Sequence, residues 1–372
     1  MLLKCSLFIL ILLPSSIVFS EGNSFSINSF QDESDRQFID NTIQQFMQKY
    51  HIPGLSIAIA KQEDIIFAKG YGFADIENKV PVNITHQFRI ASVSKPITAV
   101  AIMQLREQGK LTLDDKVFGA GGILASEYPV EHELLNEITV RNLLEHTAGV
   151  EWTNDSNAPM FQKPELSQTA LISWVLKNRP ITKSPGSEYA YSNFAYCLLG
   201  RVIEKLSGLG YQYYVRKNIL QPINAKSFAI GRKKPANTIF QVRYYPDGEE
   251  DPYWFPVARM DSHGGWISNA IDLVKFSMSV DGRGNDILNN DSIKLMTTAS
   301  KLNPNYALGW NVNQYNNWWH NGSLPGTASI MVRTEHGYNW ALLLNKRSMD
   351  KNFSNDLDML SWNLINGIKA LN

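Results

Sequence analysis

Two side chains three residues apart point to covalent chemistry. In "FRIASVSKPITAV", Phe88 to Val100, the hydroxyl of Ser92 is followed by the amine of Lys95. On a helix, positions i and i+3 are neighbours, with Cβ atoms roughly 5–6 Å apart. The spacing therefore predicts that Lys95 reaches the Ser92 hydroxyl. A free serine is a poor nucleophile and needs a base. A lysine at its reference pKa of about 10.4 is protonated near neutrality and cannot serve as one. Burial and the positive end of a helix both disfavour its charge. The run after Pro96 supplies such a place. Val93, Ile97, Val100, Ala101 and Leu105 share one helical face, and Ala99, Ile102 and Met103 cover much of the rest. A helix apolar almost all round is a central one. Gly109 is placed to end it, and Pro96 fits because first-turn amides have no intrahelical partner.

A second cluster is "YSN", Tyr191-Ser192-Asn193, where a loop enters a helical pattern running to about Ser207. The helix N-terminus favours phenolate at Tyr191, and a tyrosine oxygen can pass protons between serine, lysine and leaving group. Asn193 offers an amide to a substrate carbonyl, or it caps the helix. A third cluster is "WWHNGSLPG". Side chains alternate on a strand, so Trp318, His320 and Gly322 share a face while Trp319 and Asn321 point away. Glycine there marks close approach of another backbone or a ligand. The Ser323 amide could pair with that of Ser92 as an oxyanion hole. Singly, these patterns carry little weight. Ser-x-x-Lys recurs at Ser348 and Lys351 in a polar loop, and Tyr-x-Asn recurs at Tyr315 and Asn317. His263-Gly264-Gly265 has the spacing of the third cluster but reads as a turn before "WISNAIDLVKF". Glycosylation-acceptor patterns, Asn154 and Asn321 among them, read as chance.

Several elements must position these residues. Phe38, Ile39, Ile43, Phe46, Met47 and Tyr50 form one stripe of a helix over Ser34 to Tyr50. "LSIAIAK" and "DIIFAKGYG" read as two strands joined by a polar turn. From about 111 to 224 the pattern is mostly helices and loops, including a short helix in "TVRNLLEHTAGV" closed by Gly149. Strand-like runs return in "LGWNVN", "NWWHNGS", "GTASIMVRT" and "YNWALLLN", and an amphipathic helix over 355–371 closes the chain. The outline is α+β, a sheet built from both ends of the chain around a mainly helical insertion.

At 372 residues, 44% apolar and 19% charged, the chain can bury a substantial core. Its net charge of zero gives no reason to expect nucleic acid or an acidic membrane as partner. "GRKKP" at Gly231 and "DGEED" at Asp247 read as solvated loops. The first twenty residues hold one lysine, a short apolar run and small residues at Val18 and Ser20. They read as a signal peptide cleaved after Ser20, with a run too short to span a bilayer. The mature chain, 21–372, is expected to be secreted or periplasmic, with no stable membrane insertion. Cys5 would be lost, leaving Cys197 as an inert core residue with no disulfide partner. No metal-ligand spacing or dinucleotide glycine pattern occurs, so no metal or cofactor is expected.

Ser92-x-x-Lys95, Tyr191-x-Asn193 and His320-x-Gly322, in that order, resemble the serine β-lactamase and penicillin-binding protein superfamily. The similar branch is that of class C β-lactamases and their DD-peptidase and esterase relatives. "FRIASVSKP", "ITVRNLLEHTAGV", "PGSEYAYSN", "LGW" and "HNGSLPG" look like that family's connecting segments. The resemblance implies an antiparallel sheet packed by helices, with the site where it meets an all-helical region. It implies Ser92 as acyl-enzyme nucleophile and Lys95 with Tyr191 as the proton-handling pair. Asn193 would contact substrate, His320 and Gly322 would flank the cleft, and Ser323 would supply an amide. One departure matters: class C β-lactamases carry Lys-Thr-Gly where this chain has His-Asn-Gly. A histidine is mostly neutral near pH 7, which weakens the case for binding an antibiotic's carboxylate. The expected substrate is a DD-peptide or D-amino-acid amide. Small esters and β-lactams follow, and a catalytically silent scaffold is the alternative of another class.

Overall fold

The computed structural model describes residues 26–154, 158–234, 240–248, 250–284 and 286–368. The expected signal peptide and the last residues of the expected C-terminal helix lie outside these. Helix α1, Glu33–Tyr50, starts where the Asp32 side chain accepts the Ser34 amide, and it ends at His51 in the left-handed region. Its buried stripe is Ile39, Ile43, Phe46 and Tyr50. Strands β1, Gly54–Lys61, and β2, Asp64–Asp75, follow as an antiparallel hairpin.

The chain returns to the same sheet much later, as β3, Trp318–Leu324, β4, Thr327–Arg333, and β5, Tyr338–Leu344. The order is β2-β1-β5-β4-β3, antiparallel throughout, because β5 pairs with β1. Short strands Ile27–Asn28 and Asn311–Val312 lie at its two ends. One face packs α1 and α5, Phe353–Gly367. The other packs α4, Ala270–Met278, and the central helix α2, Ser94–Glu107. Every residue of α2 from Ser94 to Leu105 is buried. Its fully buried Ile, Val, Met and Leu side chains contribute about 1.5–3 kcal/mol each, which offsets the cost of carrying Lys95 into the core. Residues 108–228 hold helices and one isolated bridge among those described, including α3, Asn193–Ser207, which packs on α2. The architecture is the expected α+β one.

Local differences have simple causes. Residues Ala91–Val93 form a 3₁₀ turn before α2 begins, so Ser92 precedes the α-helix instead of opening it. The helix in "TVRNLLEHTAGV" is Val140–Leu144, and it is His146, at φ 59°, that takes the left-handed position after it, not Gly149. That turn buries the imidazole. "LGWNVN" yields only the two-residue strand Asn311–Val312. Cys197 is buried on α3, and burial pushes its thiol up to about 12. Among the described residues, no helix is long and apolar enough to cross a membrane. Helix α5 packs on α1, with the Tyr50 and Phe353 rings edge-on at 5.1 Å.

Candidate active site

Lys95 Nζ lies 3.1 Å from Ser92 Oγ, 2.7 Å from Asn193 Oδ1 and 3.0 Å from the His263 carbonyl. The amine is fully buried, and burial alone lowers its pKa well below the ordinary lysine value. None of its partners is charged. A neutral amine has two N–H bonds and one lone pair. The carbonyl and the amide oxygen can only accept, so they take both N–H bonds. The lone pair is left facing Ser92, whose O–H donates to it. Ala91, just before the serine, sits at φ 47°. A non-glycine residue in this region stores about 1–3 kcal/mol of strain, and it sets Ser92 half-exposed at the cleft floor.

Tyr191 comes from the loop before α3. Its phenol is hydrogen-bonded with Ser92, and its ring lies 4.7 Å below Lys95 Nζ. Burial raises its pKa above the ordinary tyrosine value. The side chain is thus held as the phenol. The expectation of a phenolate favoured by the helix terminus fails here because desolvation is the larger effect. Asn193 is not the cap of α3: Ser192 is, its side chain accepting the Ala195 amide at 3.1 Å. Asn193 instead bridges Lys95 and Asn154, donating to Asn154 Oδ1 at 2.6 Å.

Strand β3 forms the opposite wall. Trp318 and His320 face α2, while Trp319 turns to the α1 side. A Cβ at Gly322 would lie 2.2 Å from the Ile90 carbonyl and 2.3 Å from Ser329 Oγ. The backbone that needs the glycine is therefore the one leading into Ser92. Ser329 Oγ donates to the same carbonyl at 2.8 Å. Ser323 pairs with Ala328, one step from the closing pair of the hairpin, Leu324 with Thr327. Pairs alternate between bonded and non-bonded along an antiparallel ladder, so the Ser323 amide points off the sheet edge. Beyond Trp319 that edge carries no strand among the described residues. Ser92, second residue of its turn, likewise has an amide without an intraturn acceptor. The Ser323 hydroxyl accepts from Arg347 at 3.0 Å.

His320 is buried, with both ring nitrogens engaged inside the protein. Nε2 is 3.2 Å from Tyr306 Oη and Nδ1 is 2.7 Å from the Asn321 carbonyl. Burial, then the neighbouring Lys95, lowers its pKa to about 3. Tyr306 Oη is also 3.0 Å from Nε2 of His146, whose ring packs at a tilt against Tyr191, 4.3 Å between centroids.

Two adjoining cavities, of about 470 and 400 Å³, meet at Ser92, Asn154 and Ser323. The larger has an apolar wall of Phe161, Trp254, Met260 and Leu324, and it carries Glu250 and Arg347. Arg89 ties down the segment between Glu250 and Trp254: its guanidinium lies 4.2 Å over Tyr244 and donates to the Pro252 carbonyl. Sequence reasoning misses Asn154, which reads only as a glycosylation pattern, and Glu250, which reads as part of a solvated loop. It sets aside His263 as a turn, although the carbonyl of that turn holds Lys95. Ser348 lies apart from the site, bonded to Asp247.

An antiparallel sheet and a helical region closing over a Ser–Lys–Tyr cluster define a class of fold and centre. The chain belongs to the β-lactamase family: the Beta-lactamase family model matches residues 39–360. It is 27% identical over 326 residues to Protein flp of Staphylococcus aureus, covering 84% of this chain and 64% of that protein. The chain thus spans under two thirds of the length of such curated relatives. It is 24% identical to penicillin-binding protein 4* of Bacillus subtilis, covering 84% of this chain and 72% of that one. Among solved structures it resembles D-amino acid amidase from Ochrobactrum anthropi SV3, with TM-score 0.73, 24% identity, and 90% and 99% of the two chains covered. It also resembles the octameric penicillin-binding protein homologue from Pyrococcus abyssi, with TM-score 0.69, 25% identity, and 90% and 78% covered.

Proposed function

We propose that the protein is an exported serine hydrolase that cleaves amide bonds of D-amino-acid peptides through an acyl-enzyme. The observation that carries this is the fully buried Lys95 amine, without a charged partner among its hydrogen bonds, 3.1 Å from Ser92 Oγ. In the first step the Ser92 proton moves to Lys95 as Oγ bonds to the substrate carbonyl carbon. The carbonyl oxygen becomes an oxyanion, which accepts from the Ser92 and Ser323 amides. As the C–N bond breaks, the Tyr191 phenol gives its proton to the leaving nitrogen and recovers one from Lys95. Water then attacks the ester and yields its proton to Lys95, which returns it to Oγ as the acid leaves. Asn154 and Asn193 line the cavity beside Ser92.

A substrate ending in carboxylate gains from Arg347 on the cleft wall, since His320 brings no charge. This favours a carboxypeptidase-like reaction over a plain esterase. The test is a turnover panel of a D-Ala-D-Ala peptide, p-nitrophenyl acetate and a chromogenic cephalosporin, each with Ser92→Ala as control. Release of D-alanine with little cephalosporin cleavage is expected. Rapid cephalosporin hydrolysis would overturn the order of substrates. No fluorophosphonate adduct by intact mass would overturn the hydrolase itself.

A further inference from the structure

The polar chain behind β3 has a direction. Its first donor is the Ser192 backbone amide, 3.0 Å from His146 Nδ1. An amide only donates, so Nδ1 accepts and the hydrogen of the neutral ring sits on Nε2, facing Tyr306 Oη at 3.0 Å. At the far end, the Asn321 carbonyl lies 2.7 Å from His320 Nδ1. A carbonyl only accepts, so that nitrogen carries the hydrogen. His320 Nε2 is then a bare lone pair 3.2 Å from Tyr306 Oη. That phenol also meets Tyr196, whose own O–H goes to the Leu144 carbonyl, but only the His320 lone pair has no other donor among the described residues, so the Tyr306 O–H turns to it. Four hydrogen bonds run one way, from amide to carbonyl, and each of the three side chains is buried.

We infer that Tyr306 is a positioning residue that, together with the Asn321 carbonyl, fixes His320 in its Nδ1–H tautomer. Strand β3 thus brings no charge of its own to the cleft, and proton transfer beside Ser92 is left to Lys95 and Tyr191. The groups facing the ring are consistent with this. Lys95 comes from α2, His146 and Tyr191 from the helical region, and Tyr306 from the segment before Asn311. Across the sheet its pair partner is Met331. Burial comes first and Lys95 second in disfavouring the imidazolium, and no carboxylate opposes them. With the phenol removed, the exposed lone pair on Nε2 becomes the natural site for a proton.

The test does not rest on the hydrolase reading. Histidine-labelled protein is followed by long-range proton–nitrogen spectra between about pH 5 and pH 8, with His320→Gln to assign the signal. In the unaltered protein, His320 should show the Nδ1–H pattern and stay unmoved across that range. In Tyr306→Phe, which leaves Nε2 without a donor, the Nε2–H pattern should appear beside it. An Nε2–H pattern or a titrating His320 in the unaltered protein overturns the inference, even if the variant does not fold. So does a folded Tyr306→Phe variant that keeps the Nδ1–H pattern alone. Absence of turnover with the expected spectrum removes the hydrolase reading and leaves the role of Tyr306 standing.

Discussion

Replacing Asn193 by aspartate asks whether the amine beside Ser92 works uncharged. The change keeps size and shape and turns one amide into a carboxylate. The oxygen concerned lies 2.7 Å from Lys95 Nζ, and the other partners of that amine are a hydroxyl and a backbone carbonyl. Coulomb attraction at that distance is about 6 kcal/mol in an effective dielectric of about 20, before the carboxylate's own desolvation is subtracted. Opposite charges this close raise an amine pKa by about 1–3 units. Each unit costs tenfold in free amine at a fixed pH below the pKa. Ser92 acylation should therefore fall near neutrality by about tenfold for each unit by which the raised pKa exceeds the pH, at most about a thousandfold, and recover as the pH rises. Recovery is the diagnostic part, because misfolding or a lost substrate contact lowers the rate at every pH. The assay is the second-order rate of fluorophosphonate labelling, read by intact mass across a pH series. A folded variant whose acid limb stays where the unaltered protein puts it refutes the neutral-amine mechanism.

Gly322→Ala places a carbon 2.2 Å from the Ile90 carbonyl, where ordinary contact begins at 3.4 Å. The turn carrying Ser92 must retreat by about 1 Å, a displacement worth about a hundredfold in rate; unchanged labelling kinetics in a cooperatively melting variant would contradict this. The two buried ring nitrogens of His263 have no hydrogen-bond partner among the described residues, and burial first, then Lys95, lowers its pKa. Its folded pKa lies below the unfolded value of about 6.5, so the unfolded chain gains the extra proton as pH falls and stability drops there. His263→Leu should raise Tm, and raise it more at about pH 5 than at about pH 8; an equal shift at both would exclude titration as the cause. Arg89→Met removes one charged hydrogen bond, to the Pro252 carbonyl, worth about 1.5–3 kcal/mol from the segment carrying Glu250 and Trp254. Limited proteolysis between Arg243 and Phe255 should accelerate, and equal protection would argue against the latch.

The parts of this molecule legible in its sequence are those governed by short periods. The stripe of α1, the apolar girdle of α2 and the alternation in β3 follow from 3.6- and 2-residue repeats. The Ser92–Lys95 contact is local in the same sense. What joins Lys95 to Asn193 and to His263 is not local: the partners lie 98 and 168 residues away. Asn193 enters through the order of three motifs. His263 acts through its carbonyl, which every residue possesses, so its side chain gives no signal. The phenolate expectation at Tyr191 fails for a related reason. A helix terminus is visible in sequence, whereas the burial that outweighs it comes from His146 and Tyr306, 45 and 115 positions away.

Depth alone does not decide the charge of a buried cation, as a comparison of Lys95 with Arg201 shows. Both are buried, Lys95 on α2 and Arg201 on α3. Burial lowers the pKa of each, yet Arg201 ends raised because Asp261 and Glu204 outweigh it. Asp261 Oδ2 is 2.7 Å from Arg201 Nη2. The same turn supplies the His263 carbonyl to Lys95. Residues 261–263 thus sort the two cations, giving a carboxylate to one and a neutral dipole to the other. The carboxylate is held on its side by the Ser262 amide at 2.6 Å and by Gln168 at 2.8 Å. Gly200 lets the turn sit this close, since a Cβ there would lie 2.4 Å from Ser262 Oγ. A glycine on α3, outside every motif that carries chemistry, therefore belongs to the arrangement that leaves Lys95 without a counter-ion and so free to act as a base.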